Sequence, residues 1–162
     1  MISPEELRKY PYFAGISPDC LKSVALLSEE TSFKADEVLF EESGEFIGKA
    51  QLYEKETEAK HLLLLVSGEV DLTTQLGSGE PVIIGSAVAG ELLSLSALIP
   101  PYHLTATAVA KKDGKVINIE AEGLRELLDE NPELGYHLYQ GVASALMARL
   151  KDTRVELAAT LA

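Results

Sequence analysis

The chain is short of cations and of cysteine. Against 26 Asp and Glu it carries 14 Lys and Arg, a formal net charge of −12 over 162 residues. A surplus of that size repels nucleic-acid phosphates and anionic membrane surfaces unless the cations cluster, and no basic cluster is visible. Cys20 stands alone, which excludes an intramolecular disulfide, a multi-cysteine metal site and a redox pair. Beside Asp19, near a helix start, it reads as a packed thiol, and a cytoplasmic location suits it. No apolar segment approaches the length of a membrane span, and Met1-Ile2-Ser3-Pro4-Glu5-Glu6 lacks the basic-then-apolar run of a secretion signal. His61, His103 and His137 form no His-x-His pair, and there is no Gly-x-Ser-x-Gly elbow, Walker loop or pair of catalytic acids. These absences point away from an enzyme, a metal and a bound cofactor.

With 46% hydrophobic residues, a chain of this length can bury the core of one globular unit. Ser3-Pro4-Glu5-Glu6 supplies an N-cap, a proline at the first helical position and a capping-box Glu, predicting a short helix that ends near Pro11. Ser17-Pro18-Asp19 repeats the device, and Leu21, Val24, Ala25 and Leu27 mark the buried side of a second helix. From Thr31 to Ile119 the pattern becomes short β-type runs: 31–35, 37–41, 61–66, 69–76, 81–85, 104–110 and 115–119. Their separators, Ser43-Gly44, Ser67-Gly68, Gly77-Ser78-Gly79 and Asp113-Gly114, read as turns. Many short strands at regular spacing predict a sandwich or jelly roll, with Leu62 to Val66 as a central strand covered on both faces. Residues 45–60 read as a long connection or extended hairpin, solvated or serving as a lid.

After the strands, Glu122 to Glu130 reads as a helix closed by Asn131-Pro132, followed by a longer helix to about Leu157. Leu138, Val142, Leu146, Leu150, Thr153 and Leu157 recur on one face at steps of four or three, with Ala145 and Ala148 narrowing the surface. The expectation is a helix that pairs with its copy in a homodimer.

The stretch from Ala89 to Leu98 places Gly90 and Glu91 at the expected mouth of a short amphipathic helix. Unpaired first-turn N–H groups and the positive dipole end favour an anion there, Gly90 lets it approach the backbone, and Glu91 can accept a hydroxyl hydrogen bond. Phosphate and sugar hydroxyl together suggest a nucleotide.

Four local features combine with this order of elements: Phe40 to Gly44, Leu65-Val66-Ser67-Gly68-Glu69-Val70, Gly90-Glu91-Leu92, and Thr105-Ala106-Thr107-Ala108. The chain resembles the cyclic nucleotide-binding domain of the Crp/Fnr-type regulators. The resemblance implies a mainly β fold with flanking helices: an antiparallel double-stranded β-helix, or jelly roll, with N-terminal helices, a short phosphate-cassette helix and a long C-terminal dimerisation helix. It divides the chain into a β-roll domain, 1–130, and the dimerisation helix, 131–162. It implies that Gly90 and the amides of Leu92 and Leu93 face a cyclic phosphate, that Glu91 binds the ribose 2′-hydroxyl, that Thr105 adds a side-chain bond, and that Thr153 contacts the base.

One departure from the family pattern bears on the ligand. Its cassette continues with an arginine whose guanidinium forks onto the phosphate, and Leu104 stands at that position here. His103 is adjacent, but strand alternation would turn it to the opposite face, and it is mostly uncharged at neutral pH. Losing a charge-assisted fork worth about 1.5–3 kcal/mol weakens the site by roughly one to two decades. The expectation is a regulatory small-ligand sensor with an altered phosphate site, binding cyclic AMP or cyclic GMP weakly or no longer. Its alternatives are a dimerisation module with a degenerate pocket and an effector domain cut from a transcription regulator. No recognition helix follows the long helix, so DNA binding by this chain is not expected.

Overall fold

The computed structural model describes residues 2–42, 58–75 and 79–162; the expected connection at 45–60 lies almost entirely outside them. Two capped helices come first. In α1 (Pro4–Arg8) Ser3 Oγ accepts from the Glu6 amide, and in α2 (Pro18–Leu26) Ser17 Oγ accepts from the Cys20 amide at 3.3 Å, each with proline in the first turn. Helix α2 buries Cys20, Leu21, Val24 and Ala25, as its periodicity predicts.

The sheet is antiparallel throughout, in the jelly-roll arrangement. Strands β3 (His61–Gln75) and β6 (Thr107–Glu120) form its spine. Strand β1 (Ser28–Phe33) lies beyond β6 and β4 (Pro81–Val88) beyond β3, while β2 (Val38–Phe40) pairs with β6 and β5 (Leu92–Leu93) with β3. Side-chain alternation sorts the apolar residues into two cores. Leu62, Leu64, Ile117 and Ile119 face the helices, whereas Leu63, Leu65, Val70, Leu72, Ala108 and Val116 fill the inside of the roll with Phe33. The run at 62–66 is thus a central strand covered on both faces.

Two of the expected turns are not turns. Ser67-Gly68 and Asp113-Gly114 face each other across the β3–β6 ladder, in register at Ser67↔Lys115, and each strand runs on past them with register shifts on either side. Expected pairs of short strands are therefore fused into β3 and β6. The glycines serve a close backbone crossing. Gly68 sits at φ +92°, where a Cβ would lie 2.8 Å from the Asp113 carbonyl oxygen, and a Cβ on Gly114 would meet the Ser67 carbonyl and the Phe33 ring. The register shifts at this crossing mark bulges in the ladder, while side-chain alternation lets one pair of strands serve both cores.

Helices α3 (Ala121–Glu130) and α4 (Pro132–Leu161) complete the chain. Leu134, Leu138 and Val142 of α4 are buried in the helix-side core of their own protomer. This corrects the expected dimer stripe at its first two members: Leu138 and Val142 are not available to a second copy. From Leu146 onward the apolar residues are exposed, with Leu146 at 45%, Leu150 at 51% and Leu157 at 57%. No helix among the described residues is long and apolar enough to cross a membrane.

Gly114→Val should place a branched side chain where the Ser67 carbonyl and the Phe33 ring already sit, costing ~1–3 kcal/mol in a urea unfolding titration. A loss below about 0.5 kcal/mol, the order of ordinary surface substitutions, would show that the crossing tolerates a side chain.

Candidate ligand-binding site

Gly90 does not open a helix. It sits at φ +93° in a turn after β4, its amide donating to the Leu65 carbonyl at 2.7 Å, and the Glu91 amide donates to the Val88 carbonyl at 3.1 Å. The next two residues form β5, in register with Leu64 and Leu63 of β3. A short 3-10 helix (Leu95–Leu98) begins only after Ser94, itself in the left-handed region at φ 59°. The reason lies in the pair Leu92-Leu93, which alternates as a strand does: Leu92 enters the helix-side core and Leu93 the roll interior. The turn is held from outside by Tyr12, whose hydroxyl donates to the Gly90 carbonyl at 2.9 Å. Its ring packs against α4 where Gly141 leaves room, since a Cβ there would lie 2.6 Å from two ring carbons. Burial pushes the Tyr12 phenol up, with the Glu91 carboxylate adding to the shift.

Behind β5 lies a cavity of about 350 Å³ between the roll, the 3-10 helix and α4. Leu93, Leu104, Thr105 and Thr153 of the sequence-derived site line it, but Gly90, Glu91 and Leu92 do not. Glu91 and Leu92 line instead a groove on the other side of the turn, with Tyr12, His137 and Gly141. Glu91 accepts from the Val88 amide through Oε1 at 2.9 Å. His103 lines the cavity together with Leu104, contrary to the alternation expected, because β6 starts only at Thr107 and these residues are not in its pleat. Leu104 is buried and belongs to the helix-side core.

Arg149 was not singled out from the sequence. Its signal was there: it lies four residues before Thr153 and three after Leu146, a cation set in the same helical face. Its side chain is only 16% exposed and lines the cavity. Nη2 donates to the Leu92 carbonyl at 2.9 Å, tying α4 to β5. Nη1 is buried with no hydrogen-bond partner among the described residues, and Oε2 of Glu91 stands 4.0 Å away. Burial holds the Arg149 pKa down, and Glu91, Asp152 and Tyr12 offset this only in part. Asp152, one turn on, packs on Gly85 of β4, where a Cβ would lie 3.1 Å from its Oδ2. Among the described residues no group of His, Cys, Asp and Glu could hold a metal ion.

The family model described as the cyclic nucleotide-binding domain matches residues 45–131, more than half of the chain. The chain is 39% identical to a candidate cyclic nucleotide-binding protein from Geobacter metallireducens GS-15, whose crystal structure it matches with a TM-score of 0.73 over 93% of this chain and 99% of that one. A cyclic nucleotide-binding domain from Methylobacillus flagellatus KT is similar in fold at 18% identity, with a TM-score of 0.70 over 96% of this chain and 80% of that one. The catabolite activator protein of Thermus thermophilus matches at 21% identity and a TM-score of 0.64, over 93% of this chain and 62% of that protein. No curated protein sequence matches the chain. The chain belongs to the cyclic nucleotide-binding domain family, and it shares its fold with the catabolite activator protein it matches.

An arginine whose pKa is lowered on folding binds its proton less tightly in the folded chain than in the unfolded one, so at neutral pH its charge opposes folding. Arg149→Met should therefore leave unfolding in urea within about 1 kcal/mol of the parent, since apolar replacement of a poorly compensated buried charge is often neutral or stabilising. A loss of about 3 kcal/mol or more would instead mark Arg149 as part of a satisfied structural ion pair.

Proposed function

We propose that this chain is a regulatory domain that senses a small molecule in the cavity between the β-roll and α4, and that α4 reports its occupancy. One observation carries the reading: a single helix supplies core residues Leu134, Leu138 and Val142, then cavity residues Leu146, Arg149 and Thr153, then an exposed apolar end at Leu157 and Leu161. A ligand that moves the cavity wall therefore moves the surface beyond it. The long helix, 131–162, is the reporting unit and the roll, 1–130, the sensing unit. Sensing rather than catalysis is supported by the relatives, which include a catabolite activator protein. The net charge of −12 argues against a nucleic-acid partner.

The exposed end of α4 pairs with a second copy in this reading. Leu146, Leu150 and Leu157 remain exposed in one protomer, as do Met147, Val155 and Leu161. Because Leu146 also lines the cavity, the cleaner test is Leu157→Glu. Light scattering at micromolar concentration should find a dimer for the parent chain and a monomer for the variant; a monomeric parent would sink the dimer.

Cyclic AMP and cyclic GMP bind this cavity weakly in our reading. Leu104 occupies the position at which the family's pattern has its phosphate arginine, and the carboxylate of Glu91 is engaged by the Val88 amide outside the cavity lining. Leu104→Arg should tighten cyclic AMP by roughly one to two decades in calorimetry, the worth of a charge-assisted fork. Tight binding by the parent chain with no gain in the variant would mean that the phosphate is held elsewhere.

A further inference from the structure

The composition of the cavity wall narrows the chemistry of its ligand. Phe40, Leu72, Ile84, Leu93, Leu104 and Leu146 make most of it apolar. Among the described residues lining it, Arg149 alone carries a permanent charge. Its Nη2 is satisfied by the Leu92 carbonyl, but Nη1 is buried without a hydrogen bond, and the nearest carboxylate oxygen, Glu91 Oε2, is at 4.0 Å, beyond hydrogen-bonding distance. A buried donor left unpaired is costly, more so when it is charged, and such an exception in a folded protein calls for a partner. Lowering of the Arg149 pKa by burial agrees with that geometry.

Resting on the sensing role of this cavity, we propose that its ligand is an amphiphilic monoanion, an apolar body with one carboxylate or similar group, whose anion is received by Arg149 and whose body packs on Phe40, Leu72, Leu93 and Leu104. The charge enters from α4 rather than from the loop at Leu104, so the group that recognises the ligand belongs to the helix that reports it. A cyclic nucleotide is also a monoanion, but its ribose and base bring many polar groups, each of which would lose water against an apolar wall. A polyanion would meet the repulsion of a chain at net charge −12.

Naphthalene-2-carboxylate and its uncharged isostere naphthalene-2-carboxamide share one apolar body, and with cyclic AMP they form the probe set for calorimetry. The parent chain should bind the carboxylate at least tenfold more tightly than the carboxamide, and more tightly than cyclic AMP. Arg149→Gln should bring the carboxylate to the level of the carboxamide, Arg149→Lys should restore part of the difference, and Leu72→Trp, which fills the cavity, should remove both. Melting curves by circular dichroism identify the variants that fold, and the probe series on the parent chain decides the charge preference whether or not Arg149→Gln does. Equal binding of carboxylate and carboxamide by the parent, or a preference that survives Arg149→Gln, overturns the assignment. Cyclic AMP binding most tightly, and lost in Leu72→Trp, overturns the ligand class but leaves the sensing role standing. If none of the three binds the parent, and Leu72→Trp merely raises its melting temperature, the cavity is a packing defect and both fall.

Discussion

The pairing of β3 with β6 is the constraint from which the other elements take their places. Fifteen and fourteen residues long, these strands pair over most of their length, and every other strand hydrogen-bonds to one of them. An antiparallel ladder of that length would be a flat, twisting ribbon if its register were perfect. The bulges around Ser67-Gly68 and Asp113-Gly114 break the register where the ribbon must bend. On one side of the crossing Leu62, Leu64, Ile117 and Ile119 meet the helices while Leu63, Leu65 and Val116 face the roll interior, and on the other Val70, Leu72, Ala108 and Ala110 continue that interior. Two glycines at the crossing allow the backbones to approach closely enough for this, so a local steric allowance sets the shape of the whole domain.

The roll alone does not make the cavity. Its remaining wall is α4, whose position is fixed by three contacts of different kinds. Leu138 and Val142 bury apolar area, Gly141 admits the Tyr12 ring, and Arg149 donates to the Leu92 carbonyl. The first two are close-packed, whereas the third holds a buried charge with incomplete compensation. Buried charge is a poor way to gain stability and a good way to hold an anion. Arg149 lies about two helical turns beyond Val142, the last buried residue of α4, so the charge sits outside the close-packed segment.

Glu91 illustrates how one short motif can serve the scaffold. Gly90-Glu91-Leu92 looks like a ligand cassette in one dimension. In the folded chain Gly90 makes the left-handed turn, Glu91 caps the end of β4 by accepting from the Val88 amide, and Leu92 carries the carbonyl that Arg149 grips. The motif therefore sits behind the cavity wall in this structure and connects it to the N-terminal segment through Tyr12.

The sequence by itself determined the helices with side-chain caps, the buried face of α2, the two-sided burial of 62–66 and the membership of the family, because each depends on residues near one another in the chain. It also identified Leu104, Thr105 and Thr153 as neighbours of one site, through motifs rather than through geometry. Only the tertiary structure decided that Ser67-Gly68 and Asp113-Gly114 are a crossing and not two turns, since turn residues and bulge residues have the same conformational freedom and differ only in what lies opposite. It alone divided the α4 stripe into a buried and an exposed part, because helical periodicity records which face is apolar and not which partner covers it. Arg149 shares its helical face with Leu146 and Thr153, but that spacing alone does not say whether a cation turns inward or stays in solvent; its meaning comes from the carbonyl of Leu92, 57 residues away in the chain.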